Sequence, residues 1–259
     1  MAASKSATEI LDTVVADGKN ELDRANTGLA ISGFAAGLNI SFAAVALAIV
    51  ASLTGGASLA AYAAYPIGFI IVILGRSQLF TENTVTPVTV ILAQAGRLPN
   101  MLRLWAVVFV SNALGTLVFA AAAYYGDLLP SGAFDFLMRD VSEKAAYGFV
   151  STGIKAVFGG WLVALIAWLV AASQDTISQI FFVFALTALI PALGLTHCIA
   201  GSAEVLMGVF AGNVSVGEYL GGFMLPTTLG NIVGGVFLVA LLNFGQVAGS
   251  KGLRSRDAS

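Results

Sequence analysis

The chain has 259 residues, of which 58% are hydrophobic, and it carries 12 Lys/Arg against 14 Asp/Glu for a net charge of −2. A soluble domain is about 25% charged and about 45–50% apolar. A charged fraction of 10% and a mean hydropathy of +0.91 therefore exclude a soluble enzyme and a disordered chain, a lone Cys (Cys198) excludes a disulfide scaffold, and the charge leaves no basic footprint for nucleic acid.

What remains is an all-α, polytopic membrane protein with one membrane domain. Residues 1–27 are polar but carry an apolar stripe, Ile10, Leu11, Val14, Val15 and Leu22, which predicts a short amphipathic helix on the membrane face or else a partly ordered tail. The membrane domain, 28–245, contains six apolar spans: 28–53, 59–95, 104–125, 148–172, 177–211 and 221–244. Each meets the requirement of about 20 apolar residues for a crossing helix. The runs lack a two-residue alternation, which argues against a membrane β-barrel. The first span is too long, and the segment before it too acidic, for a cleaved signal peptide. Residues 246–259 read as a disordered tail.

Six spans put both termini on one side. That side holds Lys5, Lys19, Arg24, Arg97, Arg103, Lys251, Arg254 and Arg256, and the other only Arg139 and Lys144, which predicts cytoplasmic termini in a cell (inner) membrane. Trp105, Tyr124 and Tyr125 sit near span ends, as interfacial anchors do.

A weak duplication relates the halves. Gly28 and Gly33 recur as Gly148 and Gly153, Gly75 as Gly194, and Asn112-Ala-Leu-Gly115 as Asn231-Ile-Val-Gly234, at a near-constant offset. Three spans per repeat is an odd number, so the halves cross in opposite directions as inverted repeats. The second span is interrupted by the run from Gly75 to Thr84, with Pro87 following, and the fifth by the run from Pro191 to His197. Broken backbone inside a bilayer survives only buried in protein or lining a wet path, so paired breaks point to a permeation or binding site. Half-helices starting there aim positive dipole ends inward, which suits an anion. Asn112 and Asn231 are expected to bond backbone freed at the breaks, and Glu82 and Asn83 to cap the half-helix after the first. Gly115, Gly234 and Gly235 are expected to permit close helix contact.

These residues resemble the formate/nitrite transporter family. Leu79-Phe80-Thr81 is similar to its broken-helix loop, His197-Cys198-Ile199-Ala200 to its His-Ser-Ile-Ala box, and the run from Leu225 to Gly235 to its last-span signature. The resemblance spans roughly residues 28–245 and implies an aquaporin-like fold, a homopentamer with one pore per subunit, and a histidine between two apolar constrictions. It places Leu79 and Phe80 near one constriction, Ile190 among the pore residues, Thr81 within reach of His197, and Lys144 as the vestibule lysine. The sequence departs from the family in Gly201 and in Gly159-Gly160, where Asn is usual, and in Thr196, where an acidic residue or Asn often precedes the histidine. Arg76, Lys155 and Glu204 are additional charges.

His197 is the only histidine. A weak-acid anion meets a large desolvation barrier in a narrow apolar passage and its protonated acid a much smaller one, so an imidazole there can relay or bias a proton. Lys144 either concentrates anions at the mouth or is a solvated lysine of the charged run before the fourth span. Lys155 and Glu204 either line the pore or form an ion pair, with Arg76 as another partner for Glu204. The partners implied are a small weak-acid anion, protons and the lipid bilayer. One His and one Cys make no metal site, no phosphate-binding Gly loop appears, and no cofactor or enzymatic function is expected. The alternatives are a pore for neutral solutes such as water or glycerol, although no Asn-Pro-Ala box occurs, and a non-transporting sensor or scaffold on the same fold.

Overall fold

The structure, a computed structural model, describes residues 4–94 and 96–257, with residues 250–257 described by backbone alone. Among the described residues every regular element is helical. Helix α1 (Ala7–Asp23) opens with a capping box: Ser6 Oγ accepts from Glu9 N at 3.3 Å, and Ser6 N donates to Glu9 Oε2 at 2.7 Å. Its buried face is Leu11, Val14, Gly18 and Leu22, which overlaps the expected stripe. That face lies against protein: a side chain at Gly18 would overlap the carbonyl of Thr86 and the Val90 side chain. Arg103 ties down the end of α1 by donating to Leu22 O at 2.7 Å and Arg24 O at 3.1 Å.

The first span is two helices, α2 (Asn26–Ile40) and α3 (Phe42–Leu53), joined at Ser41, whose hydroxyl donates to Gly37 O at 2.8 Å. A short α4 (Leu59–Ala64) and α5 (Pro66–Leu74) lead to the first break, after which a single 3-10 turn precedes α6 (Thr86–Ala93). Helix α7 (Leu98–Tyr125) begins ahead of the expected span. Helix α8 (Ser131–Ala145) lies in what the sequence left as a charged connection, with Ala133, Leu137, Met138 and Val141 buried on one stripe. Helix α9 (Phe149–Ala172) is the fourth span, and α10 (Thr176–Ala192) and α11 (Ala200–Phe210) flank the second break. The last span contains two π-helical stretches, Glu218–Met224 and Val236–Leu241, around α12 (Leu225–Gly235). Pro226 lacks an N–H and crowds the preceding turn, a strain that the widened π turn before it accommodates. Helix α13 (Leu242–Asp257) runs through most of the stretch expected to be a disordered tail, because the last span's hydrogen-bonded ladder continues without a Pro to stop it.

Among the described residues four helical stretches are long and apolar enough to cross a membrane: Asn26–Leu53, Leu98–Tyr125, Phe149–Ala172 and Glu218–Gly249. The segments 59–95 and 177–211 are built from shorter helices on either side of the two breaks instead. Helix α2 packs on α7 and α9 on α12, each through small residues. A side chain at Gly37 would strike Asn112 O, and one at Gly234 would strike Val157 O, so these backbones are in direct contact.

Candidate functional site

The two breaks have the same local geometry. At the first, Gly75 N donates to Ile71 O at 3.0 Å, Arg76 turns left-handed at φ 54°, and Ser77 N donates to Val72 O at 3.0 Å. At the second, Leu193 N donates to Leu189 O at 3.0 Å, Gly194 turns at φ 58°, and Leu195 N donates to Ile190 O at 2.8 Å. Arg76, not Gly75, therefore corresponds to Gly194, which corrects the expected register by one residue. Gly75 itself is helical at φ −72°.

In that register Leu79 corresponds to His197 and Phe80 to Cys198. Each loop is held by one buried Asn, Asn112 of α7 at the first and Asn231 of α12 at the second. Asn112 Oδ1 accepts from Phe80 N at 2.9 Å, and its Nδ2 donates to Gly33 O at 2.7 Å and Gln78 O at 2.8 Å. Asn231 Oδ1 accepts from Cys198 N at 2.9 Å, and its Nδ2 donates to Ala156 O at 2.7 Å and Thr196 O at 3.2 Å. A primary amide suits this task because it offers both an acceptor and two donors from one rigid group.

The loops meet where Thr81 Oγ1 lies 2.8 Å from His197 Nε2. Ala200 N donates to His197 Nδ1 at 3.0 Å, which requires Nδ1 to be unprotonated. The imidazole is then neutral with its proton on Nε2, and Nε2–H donates to Thr81. Phe69 of α5 packs edge-on against the ring at 5.3 Å between centroids. His197 is 1% exposed, and Leu79, Phe80, Thr81 and Ile190 are also buried, so the imidazole is sealed from solvent here. Phe80 packs against Trp105 and Phe109, and Trp105 Nε1 donates to Asn83 O at 2.8 Å, so this indole braces the loop.

From the side of α1 a cavity of about 360 Å³ reaches Leu79; Lys5, Glu21, Arg76, Gln78 and Glu82 are among its lining, and His197 is not. Asn83 does not cap the half-helix: its Nδ2 turns back to Gln78 Oε1 at 3.0 Å and Leu79 O at 3.1 Å. The turn starting at Glu82 has no side-chain cap either.

The charges are arranged differently from the expected pairings. Glu204 of α11 meets Lys144 of α8, whose ammonium also touches Asp140 Oδ2 at 2.6 Å. Burial opposes the charged Lys144, but the Glu204 and Asp140 carboxylates outweigh it and hold its pKa above the ordinary lysine value. Lys144 is thus a paired, largely buried cation and not a free vestibule charge. Lys155 does not pair with Glu204. Its ammonium donates to Gly194 O at 3.2 Å and stands 4.7 Å over the Tyr147 ring, at the carbonyl end of α10 where a cation is favoured.

The glycines at unusual positions are explained by their neighbours. A side chain at Gly160 would overlap the Asn231 backbone, and one at Gly201 would come within 2.6 Å of Phe223 Cζ. Phe69, Gln78 and Phe223 were not singled out from sequence. Of these only Gln78, a polar residue inside a break, carried a signal.

A family model described as formate/nitrite transporter matches residues 8–245. The chain is 35% identical over 250 residues to inner membrane protein YfdC of Escherichia coli K12, covering 93% of this chain and 79% of that protein. Its fold is similar to that of an FNT family ion channel, with a TM-score of 0.80 at 20% identity over 90% of this chain and 97% of that one. It is also similar to a pentameric formate channel with formate bound, with a TM-score of 0.74 at 20% identity over 86% and 98% of the two chains.

Proposed function

The chain belongs to the formate/nitrite transporter family, and from that premise we propose that it moves a small monovalent weak acid, formate, nitrite or a related species, across the cell (inner) membrane with or as its protonated form. The observation that carries this reading is the Thr81–His197 joint, where two half-helix loops meet in a dry apolar setting. An anion entering such a passage loses its hydration with nothing of opposite charge to replace it, whereas its neutral acid loses far less. With Nδ1 engaged by Ala200 and Nε2–H given to Thr81, the hydroxyl proton of Thr81 is free to turn to a solute. His197 then fixes the Thr81 donor, and the solute takes its proton from water at the mouth. Leu79, Phe80 and Ile190 supply the apolar constriction.

The matched Asn brackets, the matched left-handed turns and the paired packing of α2 on α7 and α9 on α12 support two inverted repeats in an aquaporin-like arrangement. The named pentameric relative supports a homopentamer. The lysine and arginine distribution supports cytoplasmic termini.

The test is uptake into liposomes of formate, nitrite, hydrosulfide, acetate, lactate and water, each with and without a pH gradient. Acid-stimulated uptake of one or more small monovalent acids is expected. Passage of water alone would overturn the reading in favour of a neutral-solute pore, and no passage at all in favour of a sensor or scaffold.

A further inference from the structure

On the face opposite α1, a cavity of about 650 Å³ opens between the end of α7, the start of α8 and the end of α11, and the transport reading leaves it unused. Helix α7 starts where Arg103 holds the end of α1 and runs for 28 residues, so its far end lies about 40 Å away. Tyr124, Tyr125, Phe134, Leu129, Asp127 and Asn213 are among the lining of the cavity. Neither His197 nor Lys144 reaches it, and among the described residues no Lys, Arg or His lines it.

Its walls and its charge favour the same kind of guest. Tyr124 of α7 packs with Tyr125 at 5.1 Å between centroids, with Phe134 of α8 at 6.1 Å and with Phe210 of α11 at 6.2 Å, so three helices contribute rings to one cluster. Aromatic faces are electron-rich and attract a cation within about 6 Å. Asp127, in the turn after α7, is exposed and adds a carboxylate to the lining. Helices α7 and α11 both end at the cavity, and their carbonyl ends carry partial negative charge. The lining thus offers an anion no positive partner. The volume falls in the range of about 300–1,000 Å³ usual for small-molecule sites and is far more than a bare metal ion fills. One carboxylate and one amide also supply too few oxygens to replace the water around such an ion. An alkylammonium group has a diffuse charge and an apolar body that rings can cover.

We propose that this cavity is a binding site for an alkylammonium group, carried either by a free organic amine or by the headgroup of an ethanolamine phospholipid in the adjoining leaflet. Asp127 balances its charge, and Tyr124, Tyr125 and Phe134 cover its alkyl face. Both sources present the same chemistry to the cavity. The site is separate from the Thr81–His197 joint and does not depend on which solute the protein moves.

Labelled choline is the probe, added to the purified full chain in a maltoside detergent, with equilibrium dialysis as the readout and thermal melting as the check on folding. Saturable binding is expected, and the uncharged isostere of choline, with carbon in place of nitrogen, is expected not to compete. Asp127 has a left-handed backbone at φ 47°, which Asn also adopts, so Asp127→Asn removes the charge and keeps the turn. This variant is expected to weaken choline binding by about tenfold, and Tyr125→Leu by about threefold. Three results would each overturn the proposal: no saturable binding of choline, competition by the isostere equal to that by unlabelled choline, or undiminished binding to a folded Asp127→Asn variant. Nanodiscs then separate the two sources. In discs of phosphatidylglycerol the cavity stays open and choline binds. Adding phosphatidylethanolamine to the discs abolishes that binding where a lipid headgroup is the occupant, and leaves it unchanged where a free amine is; either result upholds the site.

Discussion

Asn112 and Asn231 each close a gap that a broken helix opens, and each does so with three hydrogen bonds from one amide. Replacing Asn231 with Ala leaves the Cys198 N–H and two carbonyls unpaired in a buried site, a loss of roughly 3 kcal/mol or more. The expected outcome is a markedly lower melting temperature in detergent together with lost uptake; an Ala variant as stable as the parent would show that the amide is dispensable. Thr81 offers a finer test, because its hydroxyl alone distinguishes it from Val in shape and chemistry. Thr81→Val is expected to lower acid uptake by about tenfold or more, the scale of a lost donor in a dry site, whereas Thr81→Ser keeps it. Equal rates for the Val and Ser variants would remove the hydroxyl from the transport path. Both asparagines were legible in the sequence because they repeat with Gly three residues later. The partner of Glu204 was not, since α8, which carries Lys144, gives no span signal and its placement against α11 is set by packing.

Among the elements, the two breaks share a left-handed exit from their first half-helix, but one uses Gly194 and the other Arg76. A side chain at φ 54° is strained, and Arg76→Gly should relieve it. Set against the greater freedom of Gly in the unfolded chain, the net gain is about 1 kcal/mol, seen as a melting temperature higher by about 2–4 °C. An unchanged or lower value would mean that the Arg76 side chain contributes contacts that offset the strain. At the other end of the chain, α1 is started by the Ser6–Glu9 box, whose hydrogen bonds from Ser6 hold the Glu9 carboxyl below the usual carboxylate range. A lowered folded-state pKa means that the cap is fully in force above the unfolded value of about 4.3. It is lost as pH falls through the lower folded value. Amide exchange in the first turn of α1 should therefore quicken on going from pH 6 to pH 3, relative to a Glu9→Gln control at each pH; identical ratios at both would remove the carboxylate from the cap. The stripe of α1 was readable from its spacing, but not its partner, because amphipathicity does not say whether lipid or protein covers the apolar face.

For the whole molecule, large apolar side chains such as Phe181, Ile154 and Phe237 remain exposed on the single chain. Water does not tolerate so much apolar surface, which fits lipid and neighbouring subunits as the natural cover. Native mass spectrometry in mild detergent is expected to find five chains of 26.6 kDa together, and a monomer as the sole species would contradict the pentamer. Composition pointed to a membrane protein, because too few charges exist to cover a soluble surface, and apolar runs of spanning length without a two-residue alternation made it helical. The sequence likewise located the breaks and the lone histidine, since polar and Gly/Pro residues inside an apolar span stand out against it. It could not decide which charge meets which. Ion pairing depends on distances of a few ångströms between helices remote in sequence, and those are fixed only when Gly37, Gly160 and Gly234 let backbones touch and Phe223 fills the space beside Gly201. The pairing of Lys144 with Asp140 and Glu204 is thus a property of the packed fold.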